Sequence, residues 1–212
     1  MPFSNTKVTL HYFVIPTAKP TMALGENVNL MLKDSGLTYE YLRHTREEWL
    51  ELKKKMAEQN IYASTMPAVE IDGKFYAKTL PTMRYLSCKL GKYGGSDDEQ
   101  RHYLDTLADT CSDWFHSYRQ FFRGGEEEAL KKHVEEDTKK FLGIFENVYG
   151  VNDGPFILGS EISYVDFLVY HNMDDDRALD LAKTYTNLAR FIEAIQQRPN
   201  LSEYFTSLAD AE

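Results

Sequence analysis

The sequence predicts a small mixed α/β domain followed by an all-helical one, and three observations lead there. Strand and helix signals alternate through residues 1–90. A glycine-rich polar stretch, Gly91-Lys92-Tyr93-Gly94-Gly95-Ser96-Asp97-Asp98, then interrupts the chain and reads as a linker over residues 91–98. Beyond it, from residue 99 to residue 212, the apolar patterns read as helices.

In the first domain, Lys7-Val8-Thr9-Leu10-His11-Tyr12-Phe13 alternates, with Val8, Leu10 and Tyr12 on one face of a strand. A helix over Gly25–Lys33 takes its apolar side from Val28, Leu30, Met31 and Leu32, and Gly36 stops it. Thr38-Tyr39-Glu40-Tyr41-Leu42 reads as a second strand, and Glu47–Glu58 as a charged helix ending before Asn60. Met66-Pro67-Ala68-Val69-Glu70-Ile71 leads into an Asp72-Gly73 turn and a further strand, which makes a hairpin. Thr79 then reads as the N-cap of a helix with Pro81 in its first turn, where a missing N–H costs little. The order is β-α-β, then β-β-α.

In the second domain, Ser96 reads as the cap of a helix to about Phe122, with Asp97, Asp98 and Glu99 favourable in its first turn. Gly124-Gly125 breaks the pattern, and a further helix covers Glu126–Val148. Ser163-Tyr164-Val165-Asp166 opens a strongly apolar helix with a capping-box variant. Asn187–Arg198 is another helix, stopped by Pro199.

Composition narrows the function classes. The 42% hydrophobic content over 212 residues supplies a packed core. A formal charge of −9 disfavours nucleic acid or an anionic membrane as partner. No apolar run approaches the ~20 residues of a membrane span, and residues 1–7 lack the apolar core of a signal peptide. Cys88 and Cys111 are the only cysteines and form no CxxC, so free thiols in a reducing compartment, hence a cytoplasmic protein, are expected. Cys88 reads as a helix core residue. The run Asp174-Asp175-Asp176 lacks the alternating ligands of a calcium loop and reads as a solvated acidic loop; no metal site is expected. Trp114, Phe115, Tyr118, Phe121 and Phe122 read mostly as core or dimer surface, with one or two of them alternatively lining an apolar pocket.

The most informative stretch is the hairpin with its following helix. A proline before the strand exposes the backbone of Met66, and a helix N-terminus offers N–H groups to an anion. Together they suit a small peptide-like ligand carrying a carboxylate.

With that hairpin, three further segments make the chain resemble the cytosolic glutathione S-transferases. Thr45-Arg46-Glu47-Glu48-Trp49-Leu50-Glu51-Leu52-Lys53 is similar to the sigma-class segment holding a ligand-binding Trp and Lys. Ser163-Tyr164-Val165-Asp166 looks like the family's N-capping box, and Tyr185 through Leu201 like its last helix. The similarity covers nearly the whole chain and is closest in motif to the sigma, tyrosine-type classes. It implies a thioredoxin-like domain over residues 1–90 and a helical domain over residues 99–212 that contributes the electrophile pocket. It implies a homodimer, with glutathione as co-substrate.

The resemblance also assigns roles residue by residue. Tyr12, at the end of the first strand, matches the hydroxyl donor that stabilises the glutathione thiolate; on its own residues, without the resemblance, it reads as an ordinary half-buried strand tyrosine. The following connection, Val14–Leu24, is longer than usual and lacks the family's arginine. Thr17 within it is a second hydroxyl, otherwise a turn residue. Met66 and a cis Pro67 would meet the cysteinyl part of glutathione, and Thr79 the γ-glutamyl carboxylate. Thr65 and Lys78 stand where relatives have Gln; Lys78 either attracts that carboxylate or points to solvent. Trp49 and Lys53, at i,i+4 on one helix face, would contact the glycyl end, with Lys54 and Lys55 extending the patch. Asp105 matches an acidic residue lent across a dimer, or is a helix-surface carboxylate. The function implied is conjugation of glutathione to apolar electrophiles. The alternatives are glutathione-dependent isomerisation, as in prostaglandin D synthases, and a non-catalytic binding or structural protein.

Overall fold

The computed structural model describes residues 6–15, 19–122 and 124–209. Thr17 lies outside them. The chain divides into two compact units, Met1–Gly91 and Lys92–Glu212.

The first unit is built on a four-stranded sheet in the order β2-β1-β3-β4. Its strands are β1 (Val8–Phe13), β2 (Glu40–His44), β3 (Ala68–Ile71) and β4 (Lys74–Ala77). β1 pairs parallel with β2 and antiparallel with β3, while β3 and β4 form the hairpin. The Asp72-Gly73 turn has φ of 47° and 83°, the two left-handed residues of a type I′ turn. β1 is buried on both faces, including Thr9 and His11 as well as Val8, Leu10 and Tyr12. It therefore behaves as a central strand rather than a half-buried one.

Helices α1 (Gly25–Ser35), α2 (Arg46–Glu58) and α3 (Thr79–Leu90) complete the unit. α1 ends at Gly36, whose φ of 75° needs no β-carbon. α2 starts at a capping box in which Thr45 N–H donates to Glu48 at 2.8 Å and Glu48 N–H to Thr45 Oγ1 at 3.3 Å. Three expectations shift here. β2 lies two residues later than Thr38–Leu42. Thr79 is the first helical residue, and Lys78 takes the cap position without a capping side chain. Cys88 is exposed, because α3 turns Thr79, Thr82, Met83, Leu86 and Ser87 inward instead.

The second unit is helical: α4 (Asp98–Tyr118), α5 (Glu127–His133), α6 (Lys139–Tyr149), α7 (Tyr164–Asp175), α8 (Leu179–Ala182), α9 (Thr186–Gln196) and α10 (Ser202–Ala209). Asp97, not Ser96, caps α4, accepting from Gln100 N–H at 2.8 Å. A 3-10 turn, Arg119–Phe121, follows α4, and a π segment, Val134–Thr138, joins α5 to α6. The Trp114 indole stacks on Phe141 at 5.5 Å and on Phe145 at 5.9 Å in the core. α7 is buried almost all round, its apolar residues together with Asp166, His171, Asn172 and Asp175.

Asp166 anchors the start of α7. Its carboxylate accepts from Ser163 N–H and Oγ, from Ile157 N–H and from the Tyr149 hydroxyl, all within 3.1 Å. Burial outweighs the pull of these donors and leaves its carboxyl raised to about 6. At the other end the three-aspartate run is not a solvated loop. Asp175 is buried, and Asp176 accepts from Trp114 Nε1 at 2.8 Å and Thr138 Oγ1 at 2.8 Å while His133 Nε2 lies 2.7 Å away. The π segment brings His133 and Thr138, five residues apart, onto that one carboxylate.

Candidate functional site

The predicted residues of the first unit meet at one end of its sheet. β1 ends there at Phe13, β2 at His44, and β4 at Ala77; β3, running the other way, begins there at Ala68. The antiparallel register pairs His11 with Ala68. One step further along that register stand Tyr12 and Pro67. The Met66–Pro67 peptide is cis. Lys78 N–H donates to Pro67 O at 3.1 Å, which holds the N-terminus of α3 beside the proline. A strand end, a proline-bounded backbone and a helix start thus share one rim, the end of an open sheet where ligands settle.

Each side chain at that rim has a local cause. Tyr12 is 6% exposed. Its ring lies against Gly25, where an added β-carbon would stand 2.5 Å from Tyr12 Cγ and 2.6 Å from the Tyr41 hydroxyl. Thr79 is buried at the first position of α3. A hydroxyl and an N–H there face the positive end of the helix dipole. Lys78 is exposed, with φ 70° and ψ 142°, a region that side-chain-bearing residues rarely occupy. Met66 is buried. Trp49, half-buried on α2, packs edge-on against Phe13 with ring centres 5.8 Å apart. Lys53, Lys54 and Lys55 are exposed on the same helix, Lys54 paired with Glu51 at 2.7 Å.

Arg43 belongs at this rim and was not foreseen. Its position pairs with Tyr12 in the parallel ladder. The guanidinium Cζ lies 4.3 Å from the Tyr41 ring centre and 5.6 Å from that of Tyr12. It donates to Phe13 O at 3.2 Å and to Pro20 O at 2.6 Å. The sequence carried the signal: continuing the strand two residues past Leu42 sets Arg43 beside Tyr12. Burial pushes the Tyr41 hydroxyl up in pKa, with Arg43 pulling the other way.

Behind the rim lies a second polar group. His11 Nδ1 and His44 Nε2 are 2.8 Å apart, and His11 Nε2 is 3.3 Å from Glu70. Burial lowers the pKa of both imidazoles, and the His44 ring further opposes the charging of His11.

The second unit holds Asp105 on α4. It is half-buried and accepts from the Tyr164 hydroxyl at 2.7 Å, so it is more than a helix-surface carboxylate. His171 sits between Asp174 and Asp175 at 3.8 and 3.2 Å, using a different ring nitrogen toward each. These three residues bring one candidate metal-ligand atom each within 4.8 Å of one another. Cys111 is buried, and that burial raises its thiol well above the ordinary range. Among the described residues no helix is long and apolar enough to cross a membrane.

Comparison with known proteins fits this geometry. The family model "Glutathione S-transferase, C-terminal domain" matches residues 112–208. Glutathione S-transferase 2 of Manduca sexta is 31% identical over 212 residues, covering 95% of this chain and 96% of the relative. The chain belongs to the glutathione S-transferase family. Glutathione S-transferase P 10 of Caenorhabditis elegans is 28% identical over 202 residues, covering 92% of this chain and 89% of its own. The solved Pi-class glutathione S-transferase of Onchocerca volvulus superposes with a TM-score of 0.80 at 20% identity, covering 97% of this chain and 95% of that one. This last likeness bears on the fold, a glutathione S-transferase fold of α/β unit followed by helical unit.

Proposed function

We propose that this glutathione S-transferase joins the glutathione sulfur to electrophilic, apolar small molecules, with the thiolate stabilised by the Tyr12 hydroxyl. The observation that carries the reading is the convergence of Tyr12, the Met66–Pro67 peptide and the start of α3 on one end of the sheet. A tripeptide lying there has backbone groups of Met66 to pair with and the Thr79 hydroxyl and N–H for its γ-glutamyl carboxylate. Trp49 and Lys53 are assigned to the glycyl end and Lys78 to the carboxylate by charge.

The chemistry asks little of the protein beyond the thiolate. An unperturbed thiol has a pKa of about 8.5, so only a few per cent is ionised at pH 7. Each unit of lowering corresponds to about 1.4 kcal/mol of preferential stabilisation of the anion. A phenolic O–H aimed at the sulfur gives that stabilisation by a charge-assisted hydrogen bond. The thiol proton leaves to solvent, the sulfur attacks the electrophilic carbon, and the leaving group departs with its electron pair. A tyrosine-type class and a homodimer belong to the same reading.

Retention on immobilised glutathione together with turnover of a chloronitrobenzene tests it. Thr79→Ala should weaken glutathione binding while the thermal melt stays near that of the parent. Binding of glutathione with no electrophile turned over would favour a binding protein instead.

A further inference from the structure

We propose that Arg43 is a positioning residue for Tyr12, gripping the chain as it leaves β1 so that the hydroxyl meets the glutathione sulfur. The proposal rests on the assignment of Tyr12 made above. Three observations support it. Arg43 and Tyr12 are register partners on neighbouring parallel strands, so their side chains rise from the same face. The guanidinium bridges two carbonyls that bracket the connection after Tyr12, Phe13 O at 3.2 Å and Pro20 O at 2.6 Å. Its plane also lies within cation–π reach of Tyr41 and Tyr12, 4.3 and 5.6 Å from their ring centres.

The Val14–Leu24 connection contains no arginine of its own. The guanidinium comes instead from the adjacent strand, and β1 and β2 are further tied by Val14 N–H donating to His44 O at 2.9 Å. A planar fork is the group that can hold two carbonyls and a ring face at once. A lysine keeps the charge but, as a compact ammonium on a flexible stem, does not reproduce that fork. Charge and grip are therefore separable by substitution.

The test is a double-mutant cycle on the full chain with Arg43→Lys and Tyr12→Phe. It reads the ultraviolet absorbance of bound glutathione thiolate against pH, and kcat/KM with a chloronitrobenzene. Arg43→Lys should raise the thiolate midpoint by about one pH unit, a loss of thiolate that approaches tenfold at pH values below both midpoints, with KM for glutathione within about twofold of the parent. In the Tyr12→Phe background the same change should have no further effect, because the two residues act as one unit. Arg43→Gln should lose at least as much. A parent-like midpoint in either Arg43 variant overturns the proposal, as do losses that multiply in the double variant. A Tyr12→Phe protein whose midpoint does not move overturns the Tyr12 assignment itself, and is distinguished by that single variant.

Discussion

Gly25 leaves no room for a β-carbon above the Tyr12 ring: such an atom would stand 2.5 Å from Tyr12 Cγ. The first residue of α1 thus rests directly on the tyrosine at the end of β1. Gly25→Ala must push the ring, the helix or both aside. The same methyl would press on the Tyr41 hydroxyl at 2.6 Å, so neither ring offers an easy escape. We expect a loss of about 1–3 kcal/mol in stability and a fall in kcat of about tenfold or more, as a displaced donor misses its target. Urea denaturation and steady-state kinetics check both. A variant with parent kinetics would show that the position of Tyr12 does not matter to turnover.

Lys78 stores strain at the junction of β4 and α3. Its φ of 70° with ψ of 142° suits glycine and costs a residue with a β-carbon about 1–3 kcal/mol. Lys78→Gly relieves that cost but adds freedom to the unfolded chain, worth up to about 1 kcal/mol the other way. The net expectation is a gain of about 1 kcal/mol, read as a higher urea midpoint at unchanged slope. A lower midpoint would mean that the lysine side chain contributes more than its backbone costs.

The His11–His44 pair makes the first unit sensitive to acid. Both folded-state pKa values lie below the unfolded value of about 6.5. Above that pH both states are neutral and the full stability is present. As pH falls below it, the unfolded chain binds protons that the folded pair refuses, so stability declines until the folded pKa values are reached. Glu70 and Glu40 beside His11, and Glu48 beside His44, oppose the shift without reversing it. Melting temperature should therefore drop as the pH falls below about 6.5, and His11→Asn should flatten that drop. An equal drop in both proteins would assign the sensitivity to other groups.

In the helical unit the Asp166 carboxylate is the acceptor for four donors at the start of α7. Asp166→Ala strands them in a buried site. Each orphaned donor costs about 1–3 kcal/mol before relaxation, so the whole loss should be at least about 3 kcal/mol. A loss under about 1 kcal/mol would show that water replaces the carboxylate. Thermal or chemical unfolding of the two proteins gives the difference.

Much of this was legible in the sequence, and the misses share a cause. The Asp72-Gly73 turn and the Ser163–Asp166 box fixed their elements because local hydrogen bonding decides them. β2 was set two residues early because an edge strand with mixed exposure has little alternation to read. That slip is what hid Arg43. The aspartates at 174–176 looked solvated because three adjacent charges usually are; the partners of Asp176, namely Trp114, His133 and Thr138, come from segments far away in the sequence. Cys88 looked internal because cysteine usually is, yet the inward face of α3 is carried by its neighbours. Short α8 and α10 lack the length over which a helical period becomes visible.

The measurement that bears most directly on the account is the thiolate titration of glutathione bound to Tyr12→Phe. If the Tyr12 hydroxyl stabilises the sulfur anion, the midpoint should rise by about one unit or more, with kcat/KM falling by about tenfold at pH values below both midpoints. A midpoint and turnover equal to those of the parent would contradict it and return Tyr12 to the role of a packed strand residue.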